Sequence, residues 1–351
     1  MAETFKKPLK VLSLFDGISC GMLALERAGM PVDRYVAYEI DPYAIKISQK
    51  NYPQIKQCGN VINADFKQYK DFDLIIGGSP CTYWSVANNN REVTPDGLGG
   101  KLFMEYVRAL KESKCTYFLY ENNYSIHRNI KEYISQMLGV KPILIDSATV
   151  SAQSRKRLYW TNIPQTEIKH LNIFLDDIID SGSAAKEKAY CLTHIQGNTR
   201  DFFKKRQSNI IFEPIRIGTI EHSGNQKYDS QPYRVYSIKG KAVSIKANGG
   251  GIGAKTGLYL TPVPYGFCDK GKIYNIKGQK IETKFGVFDI NLDDGQYIIR
   301  KLSVIESERC QTLPDDYTSG VSDTQRCKCI GNGWTVDVIS HILGGLKNEN
   351  Y

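Results

Sequence analysis

Five short apolar runs set the strongest limit on what this chain can fold into. KVLSLF, RYVAYEI, FDLIIGG, TYFLYEN and KPILIDSATV follow one another between Lys10 and about Asn162. The stretches between them, GMLALERAGM, PYAIKISQKNY, KLFMEYVRALKES and IKEYISQML, carry a helical period. Strand, helix, strand in succession predicts a parallel sheet covered by helices on both faces. From about Ile163 the pattern breaks into short β-like runs between Gly, Asn and Pro, and near Ile299 the helical period resumes in IIRKLSVIESERCQTLP and WTVDVISHILGGLK. The expected organisation is an α/β domain begun over 1–162, a smaller β-rich insertion over 163–299, and a return to the first domain over 300–351.

Composition narrows the class. At 351 residues, 41% apolar and 24% charged, the chain reads as an ordinary soluble globular protein. No apolar run approaches the roughly 20 residues of a spanning helix, and MAETFKKPLK lacks the apolar core of a signal peptide. The expectation is a cytoplasmic protein without membrane attachment. Nine cysteines without a CxxC pair suit reduced thiols, and no histidine completes a zinc-ligand spacing, so no metal is expected. The net charge is +9, but between Lys186 and Lys284 there are 18 Lys and Arg against 7 Asp and Glu. That basic stretch, mixed with Tyr, Phe, Asn, Gln and Gly, fits either a phosphate-binding surface or a merely solvated one.

Several motifs sit where open α/β sheets place chemistry, at strand ends. SLFDGISCG puts Gly17 and Gly21 in a strand-to-helix turn, and YEIDPYA ends the next strand with Glu39, where a carboxylate can accept both hydroxyls of a ribose. Without a GxGxxG pattern the pair suggests a nucleoside cofactor lacking a bound pyrophosphate, as in S-adenosylmethionine. GGSPCTYWS places Cys81 directly after a proline where a buried strand gives out, LYENN offers Glu121, and SAQSRKRLYW offers Gln153, Arg155 and Arg157 at alternate positions. In an extended segment those three share one face. Each has a plainer alternative: a buried thiol, a helix-start carboxylate, surface charge. KANGGGIGAKTG is not a phosphate loop, because Ala254 separates Gly253 from Lys255.

Taken together, these motifs resemble the DNA cytosine-5 methyltransferase family over almost the whole chain: the FDGI first motif, SPC, Glu-Asn, Q-x-R-x-R, RKLSVIESERCQTLPDDY and GNGWTVDVI. The FDGI and SPC wording is similar to the vertebrate de novo branch, whereas the length resembles prokaryotic and phage members. RVYSIKGKAVSIKANGGGIGAKTGLY is similar to the entry of their target-recognition region. The transfer-RNA branch carries a Cys-Phe-Thr signature that this sequence lacks, and a silent homologue would be expected to lose Cys81 or Glu121.

The resemblance implies a Rossmann-like S-adenosylmethionine-dependent methyltransferase sheet with a β-rich target-recognition region, acting on duplex DNA. It implies that Cys81 attacks C6 of a flipped-out cytosine while Glu121 hydrogen-bonds N3, Arg157 holds the base oxygen and Arg155 positions a phosphate or the catalytic loop. Phe15, Asp16, Gly17, Ile18, Ser19, Cys20, Glu39, Ile40, Asn60, Val61, Leu102, Asn332, Gly333 and Trp334 would form the cofactor pocket, and Ser85, Gln153, Arg234 and Lys255 would contact DNA. A monomer is implied, with a restriction endonuclease of the same target as a partner such enzymes can have. The sequence departs from the family at Asn123, where Val follows Glu-Asn, at Asn60, where many members have Asp, and at Thr82, which replaces Gln.

Overall fold

The structure, a computed structural model, describes residues 7–86, 88–184, 187–192, 209–216, 218, 219, 234, 235, 273–283, 286–289, 292 and 294–348. Its contacts divide the chain into two units, Met1–Ile173 with Glu308–Tyr351, and Phe174–Ser307.

The first unit is built on seven strands, β1 (Leu9–Leu14), β2 (Val32–Tyr38), β3 (Lys56–Gln57), β4 (Leu74–Gly77), β5 (Tyr117–Asn123), β6 (Ile143–Asp146) and β7 (Lys156–Thr161), in the order β3-β2-β1-β4-β5-β7-β6. The helices are α1 (Cys20–Arg27), α2 (Pro42–Asn51), α3 (Leu98–Ser113), α4 (Arg128–Leu138), α5 (Val304–Cys310), α6 (Asp323–Asn332) and α7 (Val336–Gly344), with the boundary between the units inside α5.

The central strands are apolar on both faces because helices cover both. On one face Leu12, Leu14, Val36, Tyr38, Ile75, Tyr120 and Trp160 pack with Phe103, Tyr106 and Val107 of α3 and Ile130, Ile134 and Leu138 of α4. On the other, α1 and α7 pack together. A Cβ on Gly21 would lie 2.3 Å from Ile76 Cδ1, so only glycine lets α1 approach β4 this closely. Local signals set the helix ends: Asp41 caps α2 by accepting from Tyr43 N at 3.0 Å with Pro42 in the first turn, and Gly139 closes α4 at φ 72°.

The sheet is parallel from β3 to β5 but not throughout. β7 runs antiparallel to both β5 and β6, so the expected parallel sheet carries one reversed strand. The physical reason is length: residues 147–155 between β6 and β7 cannot hold the dozen or more residues a parallel crossover needs. The chain therefore doubles back and inserts β7 between β5 and β6.

The second unit contains β8 (Ser183–Ala184), β9 (Ile210–Arg216), β10 (Gly218–Thr219), β11 (Arg234–Val235), β12 (Tyr274–Lys277), β13 (Lys280–Thr283), β14 (Gly286–Asp289) and β15 (Gly295–Lys301). Six of these form an antiparallel sheet in the order β14-β13-β12-β15-β9-β8, with Phe212, Tyr274, Ile276, Ile281, Tyr297 and Ile298 buried. Gly278 and Gln279, both at φ 56°, make the tight turn between β12 and β13. Pro214 in β9 sits where the ladder with β15 slips register, a position that tolerates a missing N–H. Among the described residues no helix is long and apolar enough to cross a membrane.

Candidate active site

Three neighbouring strands bring the expected reactive groups to one edge of the large sheet. β4 ends at Gly77, and Pro80 then turns the chain into a short 3-10 helix, Cys81–Tyr83, whose first residue is the thiol. Adjacent β5 carries Glu121, and β7, the neighbour on its other side, carries Arg157 near its start. The Arg157 Nε lies 3.0 Å from Glu121 Oε1. The Trp334 indole N–H donates to the other carboxylate oxygen, Oε2, at 3.0 Å.

Glycines make this convergence sterically possible. A Cβ on Gly77 would meet the Leu14 carbonyl oxygen at 2.5 Å, and one on Gly78 would meet the Glu121 carbonyl at 2.8 Å and its Oε2 at 3.0 Å. The pair GG before SPC therefore lets the Cys81 turn pass directly beside the carboxylate. The half-buried Cys81 thiol is pushed above the ordinary thiol range, mainly by burial and then by the negative charge of Glu121, while Arg157 and Arg155 act in the opposite sense. Cys20, wholly buried, is pushed up to about 12 by desolvation, which leaves it inert as a nucleophile.

Beyond Cys81 the chain is tied back at defined points. The Cys81 carbonyl accepts from Trp84 N at 3.1 Å and Ser85 N at 2.9 Å. The buried Trp84 donates to Glu92 Oε2 at 3.0 Å, and Glu92 also accepts from Gly99 N at the start of α3. Arg91 reaches the Ser125 carbonyl beyond β5 at 3.0 Å. Ser85 and the exposed Val86 lie between these anchors, which the motif itself did not reveal. Glu92 in particular carries no local signal, because its partners are an indole upstream and a backbone N–H downstream.

At the next strand ends lies the turn expected to hold a cofactor. Phe15, Gly17 and Ser19 have φ of 57°, 60° and 61°, a concentration of left-handed backbone that costs energy at the two non-glycine positions. Around Gly17 a Cβ would meet nothing within 4 Å, so the turn opens into space. Glu39 accepts from Gly17 N at 2.7 Å and from Ile40 N and Asp41 N at 2.8 Å each, which fixes its carboxylate at the rim. Ile40, which follows the fixed carboxylate in the chain, is 70% exposed, an apolar side chain open to a ligand. A nucleoside offers that set an apolar base and ribose hydroxyls, so the residues fit S-adenosylmethionine.

Other expected pocket residues serve the frame. Asp16 turns inward, accepting from Ser13 and Tyr35 hydroxyls at 2.6 and 2.7 Å and from Ser19 at 2.5 Å, and burial raises its carboxyl above the usual range despite these bonds. Asn60 Oδ1 accepts from Ile62 N at 3.0 Å, shaping its own turn, while Val61 is buried and Leu102 half-buried on α3. Ile18 and Cys20 are buried, and Asn332 ends α6 exposed.

The Q-x-R-x-R residues do not share a face, because β7 begins only at Lys156. Gln153 is fully buried and donates to the Cys310 carbonyl at 3.2 Å and Gln311 Oε1 at 3.1 Å. Arg155, 5% exposed, donates through Nη2 to the Gly331 and Gly333 carbonyls at 3.0 Å each. The resemblance implied a DNA contact for Gln153 and a phosphate or the catalytic loop for Arg155; in the structure both side chains bond the C-terminal return. Gln311 completes the set by donating to the Ile330 and Gly333 carbonyls and accepting from Thr335 Oγ1 at 2.6 Å. Arg234 opens β11 opposite Thr219, and Lys255 with its glycine loop lies outside the described residues.

A family model, C-5 cytosine-specific DNA methylase, matches residues 9–348. The chain is 25% identical to the Type II methyltransferase M.HhaI of Haemophilus parahaemolyticus, covering 97% of this chain and 95% of that protein. It is 24% identical to the orphan methyltransferase M.SPRI of Bacillus phage SPR, covering 96% and 97%. Among solved structures, the Entamoeba histolytica methyltransferase EhMeth matches with a TM-score of 0.59 at 13% identity, covering 98% and 99% of the two chains. With the family matched from the first strand to the last helix, the chain belongs to the C-5 cytosine-specific DNA methylases and is a DNA cytosine-5 methyltransferase.

Proposed function

We propose that the enzyme methylates C5 of a cytosine within a fixed short sequence of duplex DNA, through a covalent bond between Cys81 and C6. The observation that carries this reading is the meeting of Cys81, Glu121 and Arg157 at adjacent strand ends, beside an open turn suited to a nucleoside. The target base must leave the stack, since its ring carbons are unreachable inside the duplex. Cys81, once deprotonated, adds its sulfur to C6, and the electron pair of the C5–C6 bond becomes available at C5. Glu121, protonated, stabilises this addition by hydrogen-bonding N3, and Arg157 accompanies the base oxygen. After methylation, loss of the C5 proton returns its bonding pair to the ring and expels the Cys81 thiolate.

S-adenosylmethionine, when bound, supplies a methyl group made electrophilic by its positively charged sulfur. Glu39 would hold the ribose, Ile40 would lie against the base, Asn60 and Val61 would border its edge, and the turn from Phe15 to Ser19 would lie beneath the donor. The C-terminal return through Gly333 and Trp334 would close the pocket. The basic stretch 186–284 would bind DNA phosphates, with affinity falling steeply as salt rises. We read the enzyme as a cytoplasmic monomer.

The test is incubation of the protein with methyl-labelled S-adenosylmethionine and mixed-sequence duplex DNA, followed by nucleoside mass analysis and sequencing. Expected is 5-methylcytosine at one short motif, absent with Cys81→Ser although DNA binding survives. Turnover by Cys81→Ser equal to the parent would overturn the covalent mechanism, and label entering RNA but not DNA would overturn the substrate.

A further inference from the structure

The contact between Trp334 and Glu121 joins the last part of the chain to the reactive carboxyl, and the sequence motifs assign no such link. Glu121 is held at both oxygens, by Arg157 Nε on Oε1 and by the Trp334 indole N–H on Oε2, each at 3.0 Å. With one donor alone, a carboxyl group can still rotate about its last bond. Two donors from opposite sides define its plane. Trp334 is itself immobilised by an unusual outlay of buried polar groups. Arg155 and Gln311 together clasp the carbonyls of Ile330, Gly331 and Gly333, and Thr335 is bonded to Gln311. These bonds set the backbone on both sides of the indole.

The indole also reaches the first turn of α1, directly after the candidate cofactor turn. A Cβ on Gly21 would lie 3.6 Å from Trp334 Cζ3, and one on Gly333 would lie 3.3 Å from Cys20 Sγ. One edge of the ring therefore borders the start of α1 while its N–H bonds the carboxyl. We propose that Trp334 is a positioning residue for Glu121, its N–H fixing the carboxyl plane against Arg157, and not only a wall of the cofactor pocket. This role rests on the proposed methylation mechanism, in which Glu121 must present its hydrogen to one edge of the base. The Gln153, Arg155 and Gln311 bonds are then the means by which the C-terminal return holds that geometry.

The decisive variant is Trp334→Phe, which keeps an apolar ring and removes the N–H, measured on the same duplex DNA as the parent. Losing a hydrogen bond to the protonated carboxyl corresponds to about twofold to tenfold in rate. The expected result is a fall in kcat of that size with KM for S-adenosylmethionine little changed. A raised KM with unchanged kcat would overturn the proposal, since the ring would then be a pocket wall alone. Placing benzothienylalanine at position 334 replaces the N–H by sulfur in an isosteric ring and gives the same readout should the Phe variant fold poorly. In a Glu121→Gln background, Trp334→Phe should cost little further, and a fully additive loss would also count against the proposal. An inert parent enzyme would mean failure of the methylation reading itself, a result distinct from an active parent matched by an equally active variant.

Discussion

Arg157 of β7 reaches along the ladder to Glu121 of β5, although its own cross-strand partner is Asn123. The two side chains are only 15% and 12% exposed, so the pair forms where water screens little. Removing one member leaves the other charge largely desolvated. Arg157→Met should destabilise the fold by on the order of 3 kcal/mol and depress turnover. Urea unfolding of parent and variant checks this, and an unchanged midpoint would show that Glu121 is solvated without its partner.

The thiol of Cys81 should be a sluggish nucleophile in the DNA-free enzyme. Burial and Glu121 raise it while Arg157 and Arg155 only partly offset them. Its alkylation by iodoacetamide, followed by peptide mass analysis, should therefore have a pH midpoint above that of free cysteine. Glu121→Gln removes a repelling charge and should move the midpoint down. Rapid alkylation at neutral pH would mean that the arginines dominate.

At Gly78 a single methyl group would press on both the β5 backbone and the Glu121 carboxylate. Its Cβ would press on the Glu121 carbonyl at 2.8 Å and on Oε2 at 3.0 Å. Gly78→Ala should lower kcat by about a hundredfold, the scale associated with misplacing a reacting group by an ångström. A lowered circular-dichroism melting temperature should accompany the loss, because the β5 backbone must shift. Normal turnover would show that the carboxylate adapts.

Gln153 separates a framework role from a DNA contact. Its side chain is spent on Cys310 and Gln311, so Gln153→Ala leaves buried acceptors without that donor and should cost about 1–3 kcal/mol. DNA affinity, measured by fluorescence anisotropy at fixed salt, should stay as in the parent. A large loss of affinity with unchanged stability would restore the reading in which Gln153 meets DNA.

Much of the large sheet was legible because its strands are short apolar runs between helical segments, a pattern set by burial on both faces. The motif residues Cys81, Glu121 and Glu39 were legible too, since strand ends are marked by Gly, Pro and polar residues. Two features were not. The reversal of β7 depends on the shortness of the 147–155 link rather than on any residue type. The inward turn of Asp16, Gln153 and Arg155 depends on partners more than a hundred positions away for the last two, and on a hydroxyl cluster for the first.

Legible in the sequence alone are the candidate reactive groups, their order along the chain and the basic stretch between the two parts of the α/β pattern. These follow from local periodicity, strand-ending residues and charge, all of which act over a few positions. Which partner each polar side chain meets was set by the tertiary fold. Arg155 and Arg157 are two residues apart, yet one is buried against the Gly331 and Gly333 carbonyls and the other meets Glu121. The reason is physical: a buried donor must find an acceptor, and for these two side chains the acceptors are brought within reach only by folding.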